Sequence, residues 1–169
     1  MWDWMFNSSN ATNTANTVSQ SGNSSTGNPN DWDPSKYQGV FKSTAERYQY
    51  QTSQTLLNQQ TRLNITMNGK AGTVDVDGIV NNFIHESKFL DPATNFYSKQ
   101  IGKGGPSGLE LHVKGWGDLF QRQSVAAQQF GYQGVKVFTN SKEAVEMAKK
   151  LFGDKDWFKM IDIIYEAAK

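Results

Sequence analysis

The chain has 169 residues, a formal net charge of +1 and no cysteine. That length carries one domain with a real core plus an appendage. The near-balanced charge excludes a bulk positive field while leaving room for a local basic face, and the missing thiols exclude disulfides and thiolate metal sites.

His85 and His112 are the only imidazoles, so a histidine-rich zinc centre is not expected. No apolar run approaches the roughly 20 residues of a membrane-spanning helix. The first residues lack the basic and apolar regions of a secretory signal. The expectation is a chain without a membrane span, which a dedicated secretion system must carry if it leaves its cell.

Residues 7–30 are almost entirely Asn, Ser, Thr, Gln and Gly without charge. Such a segment cannot bury enough apolar surface to offset its ordering entropy, so it reads as a flexible linker or tail. Ahead of it, Met1-Trp-Asp-Trp-Met-Phe6 is mostly apolar. It reads either as a piece that docks on its own domain or as a docking peptide for a carrier or chaperone. The expected division is a polar segment over 1–30 and a folded domain over 31–169.

Within the folded part, Ser43-Thr-Ala-Glu46 has capping-box spacing and opens a helix expected to run to about Gln60, with Ala45, Tyr48, Thr52 and Leu56 on one face. Residues 63–67 alternate and end at Asn68-Gly69, a strong hairpin turn. Residues 72–89 then read as two strands joined at Asn81-Asn82, which supply the positive φ that a two-residue hairpin requires. That turn places Val80 opposite Phe83, Gly78 opposite His85, Asp77 opposite Glu86 and Asp75 opposite Lys88. Lys88 shares the Glu86 face, because alternate strand residues point the same way. His85 falls on the opposite face, as a packed or surface histidine.

Residues 91–117 read as a long loop containing Pro92, Pro106 and six glycines between Gly102 and Gly117. Asp118 is expected to cap a second helix that ends at Gly131. Residues 135–138 form a short buried strand. Ser141 caps a third helix, with Ala144, Val145, Ala148, Leu151 and Phe152 as its apolar stripe and Gly153 as its stop. Residues 158–165 read as a last strand, with a helix as the competing assignment. Trp116 and Trp157 need no role beyond packing.

Asp77 and Glu86 carry the chemistry. Directly opposed like charges destabilise a strand pair. Placing them there calls either for Lys88 to offset the repulsion or for a cation, and two close carboxylates with few other ligands suit Mg²⁺. Without a cation the same three residues make a solvated sheet face with a cross-strand salt bridge. Asp75 competes as the metal aspartate, although an ion pair with Lys88 accounts for it.

Glu86-Ser87-Lys88 is the one acid-x-Lys triplet in the chain. With Asp77 on the preceding strand it resembles the PD-(D/E)xK nuclease signature. Tyr48-Gln49-Tyr50-Gln51-Thr52, Val76-Asp77-Gly78, Ile84-His85-Glu86-Ser87-Lys88, and Gln121-Arg122-Gln123 ahead of Val135-Lys136-Val137 look like the restriction-endonuclease-fold polymorphic toxins. These are DNase effectors delivered by type VI secretion. The resemblance runs from about Arg47 to Glu166. It implies an α/β (α+β) fold with a restriction-endonuclease-like αβββαβ core, a mixed sheet flanked by helices. It also implies a Mg²⁺- or Mn²⁺-dependent endonuclease that acts on DNA in the target-cell cytoplasm, and a cognate immunity protein that protects the producer.

In that reading Asp77 and Glu86 hold the metal and the Ser87 carbonyl completes its ligand set. Lys88 orients the attacking water or stabilises developing charge. Gln123 and Arg122 contact phosphate or the carboxylates, or are merely polar positions on an amphipathic helix. Lys99 and Lys103 add phosphate contacts from the glycine-rich loop. Glu46 reaches the site from the first helix or simply completes its capping box, and Gln49 is a further possible site residue or merely a polar position on that helix. Two other classes compete with the toxin: a housekeeping restriction or repair nuclease of the same fold, and a non-catalytic binding module.

Overall fold

The structure, a computed structural model, describes residues 41, 43–55, 60–92 and 105–169. The expectations for residues 1–30, Leu56, Lys99 and Lys103 lie outside them.

Helix α1 spans Thr44–Ser53. The Ser43 side chain accepts from the Glu46 amide, as the capping spacing predicts. The helix stops well short of Gln60. Ser53 Oγ donates to the Gln49 carbonyl at 2.7 Å and Thr52 Oγ1 to the Tyr48 carbonyl at 3.0 Å, and hydroxyls that bond back to the preceding turn weaken a helix. Gln54 then turns left-handed, with φ of 58°.

Strands β1 (Thr61–Met67) and β2 (Lys70–Val76) form an antiparallel hairpin. Asn68 and Gly69 both have positive φ, the backbone of a tight hairpin turn. Strands β3 (Gly78–Val80) and β4 (Phe83–Lys88) pair across Asn81 and Asn82, which also have positive φ. Gly78 faces His85 and Val80 faces Phe83, as the sequence predicts.

The arm read as one strand over 72–80 is two. The chain bends at Asp77, and β1 and β2 form their own two-stranded sheet. This overturns two expected strand pairings: Asp77, between the strands, pairs with Glu86 in neither ladder, and Asp75 does not face Lys88. Asp75 belongs to β2, where its partner is Arg62.

Beyond β4 the loop reading fails over part of its length. Helix α2 occupies Gly108–Lys114, capped by Ser107, whose side chain accepts from the Glu110 amide. Ser107 and Glu110 have the same capping spacing as Ser43 and Glu46, and Leu109 and Val113, four apart, are buried. Helix α3 spans Gly117–Phe130 and ends at a left-handed Gly131. Its first residue is preceded by Trp116, so Asp118 lies inside the first turn and does not cap it. Strand β5 (Val135–Thr139) runs parallel to β4. Helix α4 (Lys142–Phe152) has Ser141 and Gly153 at its ends, as expected. The last segment opens as a 3₁₀ turn over Asp156–Met160 before β6 (Ile161–Tyr165) runs parallel to β5.

The architecture is therefore mixed α/β. A four-stranded sheet in the order β3-β4-β5-β6, antiparallel at one end and parallel through the rest, sits with helices and a separate hairpin. One core joins them. Leu63, Ile65, Val74 and Val76 of the hairpin cluster with Ile84, Val135, Val137 and Ile163 of the sheet, Phe120 of α3 and Ala148 of α4. Tyr48 is also buried, and its hydroxyl donates to the Glu166 carbonyl at 2.9 Å, tying α1 to the end of β6.

Candidate active site

The bend at Asp77 brings the acids together. Asp77 is the single residue between β2 and β3, so its side chain is not committed to either ladder. One carboxylate oxygen, Oδ2, accepts from the Ser87 amide at 2.7 Å, and Oδ1 accepts from Gln60 Nε2 at 2.6 Å. Asp77 is only 4% exposed, and burial pushes its carboxyl above the usual range against these hydrogen bonds.

Glu86 lies on β4 and is 5% exposed. Lys88 Nζ donates to its Oε1 at 2.5 Å, and Gln123 Nε2 of α3 donates to its Oε2 at 2.7 Å. Burial dominates here too. It pushes the Glu86 carboxyl up to about 7, with the Asp77 charge adding to the rise and the Lys88 ammonium opposing it. Near neutral pH this carboxyl therefore exchanges its proton readily.

Gln123 is fully buried, and its amide oxygen has no hydrogen-bond partner among the described residues. A buried amide oxygen without a donor is costly and marks a place where a donor or a cation is accepted.

The other face of β4 locks onto α1. His85 Nδ1 lies 2.8 Å from the Thr52 carbonyl; since a carbonyl only accepts, that nitrogen carries the proton. Thr52 Oγ1 and Ser87 Oγ share a hydrogen bond. Burial pushes the His85 imidazole down, which keeps it neutral and structural, as expected. Gly78 completes the fit: a Cβ there would come within 2.8 Å of the Ser53 carbonyl and 2.9 Å of Thr55 Oγ1. Glycine is what allows the end of α1 to close onto β3 beside Asp77.

The residues chosen from sequence are treated unequally. Asp77, Glu86, Ser87, Lys88 and Gln123 converge. Arg122 does not: its Nη1 donates to the Thr73 carbonyl at 3.1 Å and its Nε lies 3.0 Å from Asp118, so it braces the hairpin against α3. Asp75 is on the surface, doubly bonded to Arg62 at 2.7 and 3.0 Å. Glu46 and Gln49 are buried on α1, on the stripe that also carries Ser53, with Gln49 Nε2 unpartnered among the described residues. Gln60 and Thr52 hold the site and were not singled out. Gln60 carries no motif, and Thr52 looked like an ordinary residue of the apolar stripe.

Among the described residues no group of three or more His, Asp or Glu could hold a metal. Any cation here would rest on two carboxylates and neutral oxygens. Comparison of the chain with protein-family models, with curated proteins and with solved structures finds no match.

Proposed function

We propose that this protein is a metal-dependent nuclease of the PD-(D/E)xK type that hydrolyses DNA phosphodiester bonds as an antibacterial effector. The observation that carries the reading is the convergence of Asp77, Glu86 and Lys88 at one end of β4, with Gln123 gripping Glu86 from α3.

The donor set fits Mg²⁺ or Mn²⁺. Two buried carboxylates have their charged forms disfavoured by burial, and an unpartnered amide oxygen lies beside them. All of these are hard oxygen donors, which a small divalent ion prefers, and Mg²⁺ needs few protein ligands because it retains waters. Asp77, Glu86 and the Ser87 carbonyl would hold it. When bound, the ion supplies Lewis-acid polarisation of the phosphate and a more acidic water.

The chain's own groups do the rest. The Ser87 amide and Gln60 fix the Asp77 carboxylate; Gln123 and Lys88 fix that of Glu86. Lys88 brings its ammonium to where negative charge grows as the P–O bond breaks, in a site shielded enough for that charge to count. On this reading the partners are DNA, a secretion carrier or chaperone, and a cognate immunity protein. The protein acts in the cytoplasm of the target cell.

Plasmid cleavage tests the proposal. The expected result is degradation with Mg²⁺ or Mn²⁺, arrest by EDTA, and loss of cutting in Asp77→Ala, Glu86→Ala and Lys88→Ala while the circular dichroism spectrum is kept. Cutting retained in all three variants removes the assignment. Expression with and without the neighbouring gene separates an effector, which kills its host unless protected, from a repair enzyme, which does not.

A further inference from the structure

Each carboxylate oxygen of the two buried acids already accepts a hydrogen bond. Asp77 Oδ1 takes the Gln60 Nε2 donor at 2.6 Å and Oδ2 the Ser87 amide at 2.7 Å. Glu86 Oε1 takes Lys88 Nζ at 2.5 Å and Oε2 takes Gln123 Nε2 at 2.7 Å. Of these donors Gln60 is the odd one. The Ser87 amide belongs to the backbone of β4, Gln123 is fully buried on α3, and the Lys88 side chain is only 19% exposed. Gln60 is exposed and lies just ahead of β1, yet the hairpin sets its place. Thr61 pairs with Val76, so one further step of the same register brings Gln60 opposite Asp77.

This arrangement bears on which cation fits. Ca²⁺ gathers about six to eight oxygens and often takes both oxygens of one carboxylate, whereas Mg²⁺ holds a tight octahedron, much of it water. A donor on each oxygen lets a carboxylate lend one oxygen to an ion and hinders it from turning both toward the ion. An ion chelated by Asp77 has to displace Gln60, because the Ser87 amide is fixed in the strand. Lys88 and Gln123 restrict Glu86 in the same way.

We propose that Gln60 is a positioning residue that makes this site selective for a small octahedral cation over Ca²⁺, by keeping Asp77 a one-oxygen ligand. The inference rests on the metal-dependent reading of the site and adds the residue that sets its choice of ion.

Displacement of Mn²⁺ from the full chain by Mg²⁺ or by Ca²⁺, followed by electron paramagnetic resonance at about pH 8 where protons compete least, tests it. Gln60→Met keeps the reach of the side chain without its donor, and Gln60→Ala removes both. Each should raise the ratio of Ca²⁺ to Mg²⁺ affinity about tenfold, the lower end of what groups orienting a metal ligand contribute. A role in packing alone would move both affinities together. Should one variant fail to fold, the other decides. A ratio unchanged in a folded variant, or a wild type that binds no Mn²⁺, overturns the inference. Binding is read without DNA or catalysis, so the two readings fail separately. A protein whose ion preference shifts as expected but which never cuts DNA refutes the nuclease; one that cuts DNA with an unshifted ratio refutes the role of Gln60.

Discussion

Asp75 and Asp77 are two residues apart on the same stretch of chain and live in opposite worlds. Asp75 stands on the outer hairpin, where the Arg62 guanidinium holds its carboxyl below the usual range; the side chains of Arg62 and Asp75 are 69% and 48% exposed. Asp77 is buried at the joint with the second sheet, and burial drives its carboxyl up. The first arrangement is worth little, since water and salt screen an exposed pair. The second is unfavourable for folding, because a buried carboxylate must lose its hydration to stay charged. On the nuclease reading, that cost is accepted for the sake of the site.

The widest gap between the two aspartates should appear in activity. Asp77→Asn is expected to lower DNA cleavage by about a thousandfold or more, the scale of removing a charge-stabilising group from a reaction centre. Asp75→Asn should stay within about twofold of the wild type, because it touches only a surface pair. A steady-state cleavage assay on both variants decides it, and a comparable loss in each would erase the distinction.

The next effect concerns the group that holds Glu86. Gln123→Ala should lower cleavage about 10- to 100-fold, the usual range for a residue that orients a metal ligand. The loss should fall partly in the Mg²⁺ concentration needed for half-maximal rate. Unchanged activation by Mg²⁺ would reduce Gln123 to packing.

A third test uses pH. Glu86 is raised to about 7 in the folded protein from an ordinary value of 4.5, and Asp77 is raised in the same sense. At these two acids the folded state therefore binds more protons than the unfolded one, so their contribution to stability falls as pH rises from about 4.5 through about 7, while the depressed His85 and His112 contribute in the opposite sense below about 6.5. The melting temperature of the wild type should therefore fall relative to that of Glu86→Gln as pH rises across that window. Mg²⁺ should raise the melting temperature more at pH 8 than at pH 5, because protons and the ion compete for the same oxygens. A difference between wild type and Glu86→Gln that does not change with pH through this window would contradict the raised Glu86 carboxyl.

The smallest effect belongs to the surface pair. Arg62→Ala should leave stability nearly unchanged, and the small difference should shrink in high salt. Chemical denaturation at two salt concentrations measures it.

Much of this arrangement was legible in the residues. Asn68-Gly69 and Asn81-Asn82 announced both hairpin turns, and the second of them set Gly78 against His85. Ser43, Ser141, Gly131 and Gly153 marked helix ends correctly. What could not be read was the break at Asp77. Alternation runs from Thr73 through Asp77 without interruption, and a strand that changes partners midway keeps its pattern of apolar and polar residues. The error over Asp75 followed directly, since its facing residue depends on which ladder it joins. Helix α2 is obscured for a different reason: the surrounding glycines read as loop and mask the Ser107–Glu110 capping spacing, which is the same as that of Ser43 and Glu46. Gln60 was invisible because a side chain that reaches Asp77 from outside any regular element leaves no periodic trace.

The joint between the sheets has one more consequence. A chain that crosses from one ladder to the next in a single step, Val76 to Gly78, has no slack to absorb an extra residue. Slipping β2 by one position would turn Val74 and Val76 out of the core, and slipping β3 by one would carry Gly78 away from the end of α1. Residue 77 is thus surveyed from both sides. Its location is written independently into two registers, and a lineage is free to lengthen the outer hairpin at its tip but not to insert a single residue at its base.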